Sequence, residues 1–132
     1  MINPKPGLVK AVLAKLRQDF PDEKRWLIHP KATLKGNHRV DLVLDEMNGN
    51  YRKRSVIRVV HNIKVSGLDV KGVNEAAKKM SGRYVKIINK IIFIVPGADT
   101  STVPTDFVLK VVPGFSFSEN EVVRVDGIMG KD

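Results

Sequence analysis

Two charges in this sequence stand where a charge has to be explained. Asp41 lies in "RVDLVLDEMNG" and Arg58 in "SVIRVVHNIK", each set among valines, leucines and isoleucines. A buried guanidinium costs several kcal/mol unless it is paired, so Arg58 needs a carboxylate. Asp41 is the nearest candidate, and the two are expected to form a structural ion pair. A second group of cations follows the hairpin signal Asn48-Gly49. Arg52, Lys53 and Arg54 sit in "YRKRS", with Lys64 and Lys71 further along. Alternation along a strand sends successive side chains to opposite faces, and these five residues are read as phosphate contacts of a nucleic-acid-binding surface. Each phosphate they neutralise would add to a salt-dependent affinity.

Other residues point to little. His29, His38 and His61 have no helical i, i+4 relation, and alternation places His61 on the face away from Asp41, so no metal site is expected. Asp45 and Glu46 fall on opposite faces just before the turn and are read as solvating it. The serines lack a G-x-S-x-G elbow, and no G-x-x-x-x-G-K-[ST] loop is present. There is no cysteine, hence no disulfide and no thiol nucleophile.

The elements that must position these residues follow from periodicity. "GLVKAVLAKLRQDF" (7–20) carries Leu8, Val12, Leu16 and Phe20 at four-residue spacing, an amphipathic helix stopped by Pro21. "RWLIHP" (25–30) reads as a short strand and "HRVDLVLDEM" (38–47) as a longer one. With Asn48-Gly49 as a type I′ turn, "YRKRSVIRVVHNI" (51–63) is the returning strand. That turn puts Met47 opposite Asn50, Asp41 opposite Val56 and Arg39 opposite Arg58. Asp41 is then a diagonal neighbour of Arg58, on one face with Val56 and Val60, while Val40, Leu42, Leu44, Ile57, Val59 and His61 share the other face.

"GLDVKGVNEAAKKMSGRY" (67–84) reads as a helix with Val73, Ala76, Ala77, Met80 and Tyr84 on its apolar face and Gly82 as a C′ residue. "KIIFIVPG" (90–97) is a strand covered on both faces, "FVLKVV" (107–112) another, and "EVVRV" an edge strand. The final "GIMGKD" is expected to fray. The fold class is α/β or α+β, a mixed central β-sheet flanked by helices. One domain over 1–132 is expected, its core at about 7–112 and a C-terminal extension at 113–132.

The totals fit a binding protein. Lys and Arg number 23 against 14 Asp and Glu, giving +9 and a pI near 9.9, the electrostatic footprint of a nucleic-acid binder. Aromatic residues are only 6% and do not interleave a basic stripe, so shape and backbone binding to DNA is favoured over stacking on single strands. No apolar run is long enough to span a membrane, and "MINPKPGLVK" lacks a signal-peptide core. A cytoplasmic location and no membrane partner are expected.

The order of a helix, a β-meander with Asp in its middle strand, a next strand, a helix and a buried strand resembles the PD-(D/E)xK nucleases, the restriction-endonuclease-like superfamily that includes Holliday-junction resolvases. "RVDLVLDEMNG" looks like its "xxDhhhh" strand and "SVIRVVHN" like its "hhExKxx" strand. The resemblance implies a restriction-endonuclease-like core over about 7–112. It also implies a catalytic role for Asp41, since in that family the Asp and the Glu of ExK bind Mg²⁺ and the Lys serves the attacking water. Here the Glu position falls on Arg58 and the Lys position on Val60, and "GLVKAVLAKLRQ" has none of the helical Glu that many resolvases carry.

Asp41 is therefore read as a remnant. The favoured function is a nuclease-like domain with a degenerate, inactive metal site and no cofactor, binding nucleic acid through its basic surface. One alternative is an active Mg²⁺-dependent endonuclease with a displaced motif, using Lys64 or Lys71 and a second carboxylate from Asp69 or Glu75. The other is a protein-interaction or assembly subunit without nucleic acid, whose basic patch meets an acidic partner and whose apolar strand edges after residue 107 would support self-association.

Overall fold

The computed structural model describes residues 7–30 and 40–125. His38, Arg39 and the last seven residues lie outside them, so the expected Arg39–Arg58 apposition and the fraying of the C-terminus have no counterpart here.

Helix α1 (Leu8–Asp19) starts behind Gly7, whose φ of 75° suits a residue without a side chain, and it buries Leu8, Val12 and Leu16. Strand β1 (Trp26–His29) leads into a hairpin of β2 (Leu42–Asn48) and β3 (Tyr51–Val59). The chain then crosses through α2 (Gly67–Met80) to β4 (Val85–Ile94), followed by β5 (Val108–Val111). A separate hairpin of β6 (Phe115–Ser118) and β7 (Glu121–Arg124) closes the described chain.

The five-stranded sheet has the order β1-β2-β3-β4-β5. Its first three strands are antiparallel, and β3, β4 and β5 run parallel. The protein is α+β with a mixed central sheet and two helices.

The turn differs from expectation in an informative way. Asn48 pairs with Tyr51, so the turn residues are Gly49 and Asn50. Gly49 has φ of 65° and Asn50 is not in the positive region, the pattern of a type II′ turn with glycine first. The ladder is therefore two residues out of the expected register, and Asp45 faces Arg54 instead of Arg52. A shift of two leaves the paired residues of the ladder on their expected faces. β2 starts at Leu42 and β3 stops at Val59, both shorter than their apolar runs imply.

Two cores lie on opposite faces of the sheet. Leu42, Leu44, Ile57, Val59, Ile91 and Phe93 pack on α1, joined by Val112 and Phe115. The C-terminal hairpin thus contributes to the core, with Phe117 and Val122 lying against it. On the α2 face, Val43, Val56, Val60 and Ile92 meet Val73, Ala76 and Met80. Val40 belongs to this second core and not, as expected, with Leu42, because the chain is not yet a strand there.

β4 is longer than the run "KIIFIVPG" implies. Its first half is hidden from a hydropathy reading by Lys86, Asn89 and Lys90. Between the pairs Arg54–Ile87 and Ser55–Asn89 the register slips, leaving Ile88 as an extra, exposed residue. β5 pairs only with Ile91–Ile94, so among the described residues no strand flanks the outer edge of β4 from Lys86 to Lys90.

Candidate functional site

Arg58 lies on the α2 face, between two carboxylates. Its Nη1 is 3.6 Å from Asp41 Oδ2. Its Nε and Nη2 donate to Asp69 Oδ1 at 3.3 and 3.2 Å. Asp69 is held there by a capping box at the start of α2: its Oδ2 accepts from Ser66 N and Oγ, while Ser66 Oγ accepts from Asp69 N. Asp41 has its own fixed role. Its Oδ2 accepts from Val59 N at 2.7 Å, capturing a strand amide just beyond the end of the β2–β3 ladder. The expected Asp41–Arg58 pair is present, and Asp69 is the closer partner of the two.

This arrangement does not fit Mg²⁺. The guanidinium stands between the two carboxylates, where its charge opposes a cation, and Val60 is buried in the α2-side core with no polar atom to offer. Glu75 is exposed on α2 and Lys71 lies near it on the surface. Among the described residues no group of three or more His, Cys, Asp or Glu could hold a metal ion.

Contrary to expectation Arg58 and Asp41 are only part-buried, with side chains 31% and 24% exposed, and the fully buried charge lies elsewhere. Asp45, read from sequence as turn solvation, is fully buried. Arg54 donates to both of its oxygens, Nε to Oδ1 at 2.7 Å and Nη2 to Oδ2 at 2.9 Å. His29 brings Nε2 to 3.0 Å of Oδ2, and Arg52 donates to the same oxygen at 3.3 Å. Burial raises the Asp45 carboxyl, yet the hydrogen bonds and charges of Arg54 and His29 outweigh it and hold the group below the usual carboxylate range.

Arg54 is consequently a core residue, not a phosphate contact: its side chain is 7% exposed and both ends of its fork are occupied. The expected role of Arg54 in nucleic-acid binding is corrected on that ground. His29 is likewise committed to Asp45.

The remaining expected contacts divide between two ends of the sheet. Lys64 follows β3 and Lys71 lies in the first turns of α2, both exposed. Arg52 and Lys53 lie at the opposite end of β3, separated from Lys64 by roughly 25 Å of strand. The five do not form one patch.

At the hairpin end, however, α2 terminates and β4 begins, and the structure adds cations that sequence reading had not grouped with Arg52 and Lys53. Lys78 and Lys79 occupy the last turn of α2, and Arg83 and Lys86 follow within the loop and the start of β4. Lys53, Lys78, Lys79, Arg83 and Lys86 form no ion pair with a described carboxylate. Arg52 shares Asp45 with Arg54, so one carboxylate faces two guanidiniums and positive charge is left over on the more exposed of them.

An open groove of about 750 Å³ runs along this end, between α2 and the first half of β4. Tyr51, Asn74, Lys78, Ser81, Lys86 and Lys90 contribute to its lining. Lys90 is anchored, donating to Asn74 Oδ1 at 3.0 Å and Asp106 Oδ2 at 2.7 Å. The topology could have announced this cluster. A strand, a helix and a parallel strand return the helix C-terminus to the start of the first strand, so Lys78 and Lys79 had to lie near Arg52.

Compared with protein-family models, with curated proteins and with solved structures, the chain matches none at a significant level.

Proposed function

We propose that this chain is a nuclease-like domain whose metal site has been replaced by an ion pair, and that it binds nucleic acid through the basic hairpin end. The fold reading is supported by element order and pairing. A helix, three antiparallel strands, a helix and a fourth strand parallel to the third make up the core order of the restriction-endonuclease-like proteins. Asp41 stands just before the middle strand of that hairpin, and Arg58 and Val60 occupy the ExK positions on the facing strand. Arg58 between Asp41 and Asp69 then reads as a substitute for the missing cation.

One observation carries the binding reading. Lys78 and Lys86 line the groove, and Lys53, Lys79 and Arg83 stand in the segments that adjoin it, all five without a carboxylate partner among the described residues, while Lys64 and Lys71 lie at the other end of the sheet. A protein that needed its +9 charge only to remain dispersed would gain nothing from concentrating it. Phosphate neutralisation does gain, because each phosphate bound releases counterions.

The experiment is fluorescence anisotropy with labelled duplex DNA, from low to physiological salt with Mg²⁺ present, and a denaturing gel of the same samples. Micromolar binding is expected, with a steep log–log salt slope and intact DNA. Changing Lys53, Lys78 and Lys86 together to Gln should flatten the slope by roughly 0.9 for each phosphate that is no longer neutralised. Absence of salt-dependent binding would remove this reading. Cut DNA would return the active-nuclease alternative. The assembly alternative is favoured by one observation, the exposed Val108, Leu109 and Val111 on edge strand β5, and its test is sedimentation at several concentrations.

A further inference from the structure

We infer that the basic end recognises unpaired nucleotides, with Tyr51 and Tyr84 as a stacking platform beside the phosphate groove. The inference rests on the nucleic-acid reading and specifies its substrate class.

The sequence separates the two tyrosines and assigns Tyr84 to the apolar face of α2. The structure puts it elsewhere. α2 ends at Met80, and Ser81 and Gly82 turn the chain outward, leaving Tyr84 54% exposed. Gly82 does not take the left-handed conformation of a C′ glycine.

Arg52 pairs with Val85 across the parallel β3–β4 ladder, and Arg52 N donates to Tyr84 O at 2.8 Å. Tyr51 and Tyr84 therefore immediately precede two neighbouring paired positions, on chains about 4.8 Å apart. Tyr51 is 40% exposed and lines the groove that Lys78 and Lys86 make basic. The guanidinium carbon of Arg83 lies 5.5 Å from the centre of the Tyr84 ring, adding a second planar group at the same place.

Exposed aromatic rings beside a cationic groove are the parts from which single strands are bound. Phosphates follow the charge, and bases, whose π-faces are free only when unpaired, stack on the rings. A duplex offers a denser row of phosphates but hides those faces, so charge alone would favour the duplex. Preference for a single strand is thus diagnostic of the tyrosines.

The test uses three labelled probes at one salt concentration: a single-stranded DNA of about 12 nucleotides, the same sequence as RNA, and the DNA duplex. Either single strand should bind at least about tenfold more tightly than the duplex, and the DNA-to-RNA ratio then says which polymer is the source. Tyr84→Ala should cost the single strand about tenfold and the duplex little, with Tyr51→Ala in the same direction. Tyr84→Phe, which keeps the ring, should restore binding. Circular dichroism melts of each variant exclude loss of fold, since both side chains are exposed. Equal affinity for strand and duplex, unmoved by either alanine, overturns the platform and leaves the basic interface standing. No salt-dependent binding of any probe overturns both.

Discussion

Asp45 and Arg54 face each other across the β2–β3 ladder as a buried, two-pronged ion pair, with contacts of 2.7 and 2.9 Å. The observed register sets the two directly opposite, whereas the turn expected at Asn48-Gly49 would set Asp45 opposite Arg52 and leave Arg54 on the diagonal. The sequence "NGN" allows both turns, and satisfying two buried charges favours the one seen.

Removing one partner should be worse than removing both. Asp45→Ala leaves Arg54 charged in the core and is expected to cost about 3–5 kcal/mol. Asp45→Leu combined with Arg54→Met should cost clearly less, because no uncompensated charge remains. Urea denaturation of the three proteins measures the difference. A double variant as unstable as the single would show that the pair is not the source of the penalty.

The same carboxylate predicts a pH dependence. Asp45 is held below its usual value in the folded protein, so the unfolded chain takes up its proton first as pH falls. Its contribution is complete above the unfolded pKa of about 3.9 and disappears as pH drops through the lower folded value. The urea midpoints of wild type and Asp45→Asn should differ at pH about 5 and converge in stronger acid. A gap that stays constant into strong acid would contradict this assignment.

Arg58→Glu places a third carboxylate between Asp41 and Asp69. In EDTA the variant should lose about 2 kcal/mol of stability through repulsion and the absence of the Arg58 hydrogen bonds. Millimolar Mg²⁺ should restore much of it, because a ligand that binds only the folded state stabilises by RT ln(1 + [L]/Kd). The melting temperature of wild type should not respond to Mg²⁺. If neither protein responds, Asp41 and Asp69 are not the remains of a metal site.

The start of α2 can be tested by deletion of its cap. Ser66→Ala should cost about 1 kcal/mol, by freeing Asp69 N and loosening the carboxylate that holds Arg58. Asp69→Ala should cost more, since it removes the cap and the closer partner of Arg58 together. Equal losses in chemical denaturation would mean that the Arg58 interaction adds nothing.

Much of this architecture was legible in the chain. The stripe of Leu8, Val12 and Leu16, the apolar face of Val73, Ala76 and Met80, the alternation around Asp41 and the apolar run at 91–94 gave the two helices, the hairpin and the second half of β4. Within the paired ladder the faces were read correctly despite the wrong turn, because the register error was an even number of residues, and only Val40, before the strand begins, fell on the other face. What escaped was set by long-range pairing. Nothing local says that Asp45 meets Arg54, or that a helix ending at Met80 delivers Tyr84 beside Tyr51. Asp69 was legible in part, since Ser66-x-x-Asp69 is a capping signal, but its approach to Arg58 is tertiary. Arg54 was misread because a basic run looks solvated until one of its members is turned inward by the pleat.

The half-covered edge of β4 has a consequence for how this molecule keeps to itself. From Lys86 to Lys90 its outer main-chain groups face no strand among the described residues, and such a row invites another chain to zip on. The slipped residue at Ile88 breaks the straight run that an incoming strand would copy, and exposed Lys86 brings charge to the same margin. Lys86, one of the lysines lining the groove, thus also guards this edge against an incoming strand, and neutralising it should leave the edge open to self-association.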